Sequence, residues 1–292
     1  MAGAVVPSDA RSMSAPADPH EPDGERAGAT APEAGATRPG PRPHGVVVIS
    51  SVTSGEGSST LALNLSLALI RRAGSVALVD GDRHPGDLVH DLGLERQRPA
   101  GSNAAGDELP VTEGPSGLLL VQAPQLPDGR ARGAAAEAEV LRDAVTVIGR
   151  RADIVVVDMA IDVLVAGDGF RRAAAIVLVT TGSPAAIDHA RLTAERLGSG
   201  PAAGLAVNEI SRHPGPAAPE VIAAQLGLPL LAHLPYDRAL DRALDPGLDD
   251  GLDHGPDQPG SPSRRRLVAG SHSHYTHAVG DLAWSLTDRL AG

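Results

Sequence analysis

The run Gly45-Val-Val-Val-Ile-Ser-Ser-Val-Thr-Ser-Gly-Glu-Gly-Ser-Ser-Thr60 constrains this chain more than any other stretch. An unbroken aliphatic segment leads into a Gly/Ser turn, and the turn opens a helical pattern over 61–72. Aliphatic runs without polar alternation belong to strands buried on both faces, as in parallel sheets. Gly55 and Gly57 allow the backbone to aim successive N–H groups at one centre. Together with the start of the following helix, they make an anion-binding nest. The pattern is that of a phosphate-binding loop whose lysine is missing. Such loops end Gly-Lys-Ser/Thr because the lysine reaches the β- and γ-phosphates. Here Ser58 holds that position, Ser59 stands where the hydroxyl ligand for Mg²⁺ belongs, and Thr60 is next to it. No other lysine substitutes, since all 25 basic residues are arginine.

The rest of the chain repeats the same alternation. Aliphatic strands are predicted over 75–80, 117–122, 153–158, 174–180, 204–208 and 228–234. Helical patterns lie between most of them, over 134–150, 183–197 and 217–226. Strands alternating with helices of this length mean βαβ units. The predicted fold is therefore α/β, with a mostly parallel, doubly wound sheet flanked by helices. Aromatic residues are confined to Phe170, Tyr236, Tyr275 and Trp284, so the core must be Val, Leu, Ile and Ala. Residues 1–44 are rich in Pro, Ala, Gly and acids and read as a disordered segment ahead of one domain over 45–292. Residues 95–115 read as a long loop and about 246–272 as a flexible insertion. A last amphipathic helix, about 277–290, reads as packed back on the domain, because a membrane-surface helix would be rich in basic residues.

Charge and composition exclude several functions. A net charge of −11 argues against broad, non-specific nucleic-acid binding, which relies on a cationic face. The absence of cysteine rules out disulfides and thiolate metal sites and fits a cytoplasmic location. His272, His274 and His277 read as solvated histidines and Arg264–Arg266 as a solvated basic run.

Two further elements share the strand-end location. In Val76-Ala-Leu-Val-Asp80-Gly-Asp82, two carboxylates emerge from an aliphatic strand. Asp80 and Asp82 are thus candidates for orienting an attacking water, and Asp82 also for holding the Mg²⁺ water shell. In Ile154-Val-Val-Val-Asp158 an aliphatic strand presents a carboxylate toward Mg²⁺, as in phosphate-loop enzymes.

Loop, Asp-x-Asp strand end and aliphatic-Asp strand are joined by Gly204-Leu-Ala-Val-Asn208 and by Leu228-Pro-Leu-Leu-Ala-His-Leu-Pro-Tyr-Asp237. Together they resemble the MinD/ParA superfamily of phosphate-loop ATPases over roughly residues 45–245. The resemblance implies an ATP/ADP and Mg²⁺ site. The phosphates would lie on Gly55, Glu56, Gly57, Ser58, Ser59 and Thr60, and the metal near Ser59, Asp82 and Asp158. Asn208 would contact adenine, with the backbone around Pro235 and Asp237 lining the same site. That family carries two loop lysines, and here Thr53 and Ser58 hold those positions. The degenerate loop is most like the CpaE/TadZ branch, which is linked to placement of pilus assembly machinery. The implied protein is a positional or assembly factor with weak ATP binding and slow or lost hydrolysis. It would work through protein partners of a positioning, secretion or pilus machinery, as a homodimer or at the membrane through a partner. The alternatives are an active ParA/MinD-type ATPase in chromosome partitioning or septum positioning and, more distantly, a bacterial tyrosine-kinase-like domain. Arg83 is the nearest arginine that would stand in for the missing cation.

Overall fold

A computed structural model describes residues 44–81, 88, 109–123, 133–198, 203–213, 215–240 and 273–291. The expectations for residues 1–43, for Asp82 and Arg83, and for 246–272 lie outside these residues. The described strands form one 8-stranded sheet in the order β3-β4-β2-β5-β1-β6-β7-β8. They are β1 (Gly45–Ser51), β2 (Val76–Gly81), β3 (Val111–Glu113), β4 (Leu119–Gln122), β5 (Ile154–Met159), β6 (Ala175–Thr180), β7 (Ala203–Asn208) and β8 (Leu230–Leu234). All pairings are parallel except that of β3 with β4. The helices are α1 (Ser58–Ala73), α2 (Ala134–Ile148), α3 (Ile161–Ala166), α4 (Pro184–Leu197), α5 (Pro219–Leu226) and α6 (His274–Ala291).

Strand periodicity assigns the two faces. Successive side chains point to opposite sides of a sheet. Accordingly Val47 and Ile49 of β1, Ile154 and Val156 of β5, and Val177 and Val179 of β6 share one core with α1 and α6. Val48, Val155, Val157, Ile176 and Leu178 share the other with α2, α3, α4 and α5. Each of these aliphatic side chains is essentially fully buried. Full burial of one such side chain is worth about 1.5–3 kcal/mol, so the central strands carry much of the stability.

The terminal helix settles against this core as the pattern predicts. Val279, Leu282, Ala283, Leu286 and Leu290 are buried in the α1 layer, while Trp284 stays 55% exposed. Among the described residues no helix is long and apolar enough to cross a membrane.

Two local expectations need correction. Part of the predicted 95–115 loop is strand: Val111–Glu113 pairs antiparallel with Leu119–Val121 at the sheet edge. A six-residue helix, α3, also intervenes directly after β5, where no helix was expected. Elsewhere the bounds shift by a few residues. The terminal helix starts at His274 rather than 277, and α1 at Ser58 rather than 61.

Candidate functional site

Parallel strands deliver their carboxyl ends to one edge, where ligands of open α/β sheets bind. A cleft of about 530 Å³ lies there. Its floor is the β1–α1 loop from Ser51 to Thr60. Its walls come from the ends of β5 (Asp158 to Asp162), β7 (Asn208 to Ile210) and β8 (Pro235 to Asp237), and from Leu240 and Tyr275.

The loop has the geometry its glycines predict. Gly55 has φ of +84° and Gly57 has φ of +89°, both in the region open chiefly to glycine. Gly57 is the N-cap of α1, and no side chain caps that helix. No acidic residue lies in the helix's first turn. The first N–H groups of a helix have no intrahelical partner. The N-terminus of the 16-residue α1 is therefore turned to the cleft with its partial positive charge uncompensated from within the helix. Ser59 and Thr60 line the cleft from that first turn. Ser58 also lines it, but its Oγ donates to Ser51 Oγ at 3.2 Å.

Asn208 locks this loop to the sheet. Its Nδ2 donates to the Glu56 carbonyl at 2.8 Å. A Cβ built on Gly57 would fall 2.5 Å from the same Nδ2. Gly57 is thus required both by its φ and by the asparagine packed on it. The side-chain amide assigned to adenine by resemblance serves here as a clamp on the phosphate loop, at the cleft wall.

Glu56 behaves differently from its neighbours. The residue is only 3% exposed and is not part of the cleft lining. Its Oε2 accepts the Thr53 backbone N–H at 3.0 Å, and Oε1 is buried without a partner. Burial pushes its carboxyl above the usual range, against the opposing effect of the backbone donors around it, Thr53 first. The side chain is a brace inside the loop, whereas the sequence grouped it with the cofactor contacts.

The strand-end carboxylates divide. Asp158 is 3% exposed and lines the cleft. Asp80 sits beside it in the β2–β5 register, is also buried, and does not reach the lining. Several cleft residues were not anticipated, Asp162, Glu209 and Tyr275 among them. Asp162, in the first turn of α3, joins the lining four positions after Asp158. That spacing was readable only once a helix after β5 was known. Tyr275 reaches the cleft from α6, and sequence had offered only its lone position in the tail. The lining holds four carboxylates, Asp158, Asp162, Glu209 and Asp237, and no arginine, histidine or lysine among the described residues. No group of three or more metal-ligating side chains stands together among these residues.

The strand order, the glycine loop and the strand-end cleft define a phosphate-loop nucleotide-binding fold. More narrowly, it is the fold of the MinD and ParA ATPases. The chain is similar to MinD of the MinC:MinD cell division complex from Aquifex aeolicus, at TM-score 0.61 and 19% identity, covering 83% of this chain and 95% of that one. It is similar to the septum site-determining protein MinD complexed with Mg-ADP from Pyrococcus horikoshii OT3, at TM-score 0.60 and 19% identity, covering 85% and 98%. A ParA family ATPase from Chlorobium tepidum TLS aligns at TM-score 0.58 and 18% identity, covering 82% and 98%. No protein-family model matches the sequence, and comparison with curated proteins finds no match.

A magnesium nucleotide fits this cleft in three respects. The uncapped α1 N-terminus suits phosphate, the Ser59 and Thr60 hydroxyls and Asp158 suit a hydrated Mg²⁺, and the cleft end at Pro235–Asp237 has room beside buried polar atoms. The fit fails at the loop cation, since Thr53 and Ser58 carry none.

Proposed function

We propose that this chain is a nucleotide-binding protein of the MinD/ParA fold that acts as a positional or assembly factor through protein partners. In this reading ATP or ADP binds weakly with Mg²⁺, and hydrolysis is slow or lost. The observation that carries it is a loop with intact turn geometry, an uncapped helix start and two hydroxyls, yet with Thr53 and Ser58 in both cation positions. The backbone N–H groups of the loop would cradle the phosphates. Ser59 and Asp158 would hold the metal, with Asp82 assigned beside them from sequence. Bound Mg²⁺ would supply the positive charge that bridges phosphate oxygens. The metal is indispensable here, because four carboxylates line the same cleft and would repel a bare triphosphate. A lost charge-assisted hydrogen bond to phosphate weakens binding by roughly 10- to 150-fold. Hydrolysis loses more, because transition-state charge has no dedicated cation.

The CpaE/TadZ-like assignment rests on the loop alone. The working location is the cytoplasm, with attachment to the membrane through a partner.

Titration with ATP and ADP, with and without Mg²⁺, beside a turnover assay, tests the proposal. Micromolar to millimolar Mg²⁺-dependent binding with turnover at background is expected. Robust turnover would establish the active-ATPase reading instead, with Arg83 the first arginine to replace by alanine. No binding of any nucleotide would remove the nucleotide role altogether.

A further inference from the structure

The tripeptide Arg-Arg-Ala occurs three times in the chain, at Arg71–Ala73, Arg150–Ala152 and Arg171–Ala173. Each copy stands just ahead of a strand, β2, β5 or β6, and these belong to the central run β2-β5-β1-β6. Backbone bonds knit the strand entries together. The Asp153 N–H donates to the Ser75 carbonyl at 3.0 Å, the Gly45 N–H to the Asp153 carbonyl at 3.0 Å, and the Ala174 N–H to the Val46 carbonyl at 2.9 Å. The three alanines are buried and all six arginines are exposed. The repeat therefore sets a row of guanidinium groups along the sheet edge opposite the cleft. Adjacent strands lie about 4.8 Å apart, so the row is roughly 15 Å wide.

Only part of this charge has a task inside the molecule. Arg71 and Arg72 complement the C-terminal end of α1. The last turn of α2 holds no basic residue, and Arg171 and Arg172 close only a five-residue 3-10 segment, Asp168–Arg172. Arg171 pairs with Asp168 at 3.4 Å, an exposed pair of the kind that contributes little. Asp153 is engaged by Ser75, whose Oγ donates to it at 2.7 Å. Among the described residues Arg72, Arg150, Arg151 and Arg172 carry no ion pair. Like charges held this close repel one another, and an anion entering the row relieves that repulsion.

We propose that the arginine row docks a short carboxylate-rich segment of a protein partner. Guanidinium forks take carboxylates in bidentate fashion. An extended peptide rises about 3.3 Å per residue, so about five residues span the row. Charge and width select this occupant. A nucleic-acid duplex or an anionic membrane is broad enough to meet the field of the whole chain, whose net charge is −11, whereas a short acidic segment meets the row alone. The cleft lies at the other ends of the strands, so docking here needs no nucleotide and leaves that site free.

The test follows fluorescence anisotropy of a labelled ten-residue Asp/Glu peptide on the full chain, without nucleotide. The parent should bind it, more weakly as salt rises. The double variant Arg150→Glu/Arg151→Glu should weaken binding about tenfold or more, the effect of losing charge-assisted hydrogen bonds. Arg191→Glu/Arg212→Glu makes the same change in net charge on α4 and in the segment after β7, and should cost less than about threefold. Arg150→Lys/Arg151→Lys keeps the charge without the fork and should fall between parent and the glutamate variant; it also carries the test if the glutamate variant does not fold. Equal losses in the two glutamate variants would show a response to net charge only and would overturn the proposal. So would a parent that ignores the peptide, or one that binds duplex DNA or phosphatidylserine vesicles more tightly than the peptide. None of these outcomes bears on nucleotide binding in the cleft.

Discussion

Replacing Gly57 by alanine should be among the most destabilising single-methyl additions in the described chain. Two separate effects act there. Gly57 sits at φ +89° and ψ +22°, a left-handed conformation that costs a non-glycine residue roughly 1–2 kcal/mol. The new Cβ would also lie 2.5 Å from Asn208 Nδ2, too close for either group to stay. Moving the amide breaks its 2.8 Å bond to the Glu56 carbonyl, at about 0.5–1.5 kcal/mol for a typical hydrogen bond. The sum is about 1.5–3.5 kcal/mol. For a domain of roughly 200 residues this lowers Tm by about 3–14 °C. Chemical denaturation of parent, Gly57→Ala, Asn208→Ala and the double variant completes the cycle. Once Asn208 is truncated, the steric part disappears and the backbone strain remains, so the double variant should be less destabilised than the sum by about 0.5–1.5 kcal/mol. A Gly57→Ala variant within 0.5 kcal/mol of the parent, or strictly additive effects, would refute the clamp. ATP binding should fall in the same variant because the loop itself shifts, not because a side chain enters the phosphate space.

The other expectations are briefer. Ser58→Lys should tighten Mg-ATP binding about 10- to 150-fold by calorimetry, with little gain in turnover because Thr53 still lacks its cation. Glu56 gives a pH signature. Its folded carboxyl lies above the unfolded value, so its contribution to stability is complete below the ordinary carboxylate range and is lost as pH rises through the raised value. Glu56→Gln should remove that decline, and denaturation midpoints followed across the acid range should show the variant overtaking the parent as pH rises. Leu286→Ala, at a fully buried α6 position against α1, should cost about 2–5 kcal/mol in denaturant unfolding.

The order of sheet and helices was readable because parallel strands buried on both faces are written as plain aliphatic runs, such as Val46–Ile49 and Ile154–Val157. β3 escaped because three half-exposed residues, Val111–Glu113, become a strand only through pairing with β4. α3 escaped because six residues show too little period to distinguish helix from turn. At the site, the glycine turn, the hydroxyls and Asp158 could be picked from local pattern. The Asn208 clamp could not, since its partner lies 152 positions away in the chain. Tyr275 lies ahead of the predicted 277–290 helix and reads as a tail residue until α6, which starts at His274, packs against α1 and β8. The turning of Glu56 away from the cleft depends on the loop's internal hydrogen bonding to Thr53, which composition does not encode.

The position of β1 at the middle of the sheet has a consequence for how the chain reaches this state. Val47 finds its sheet neighbours only at Val156 and Ala175. Emerging first during synthesis, β1 must wait for more than half of the remaining strands before either of its edges is covered. Pairings so distant in sequence close slowly, and an unpaired aliphatic strand invites contact with other chains meanwhile. The interval before β5 and β6 arrive is therefore when this protein is most exposed to aggregation. A substitution that weakens β5 should lower the soluble yield of newly made chain more than its effect on equilibrium stability accounts for.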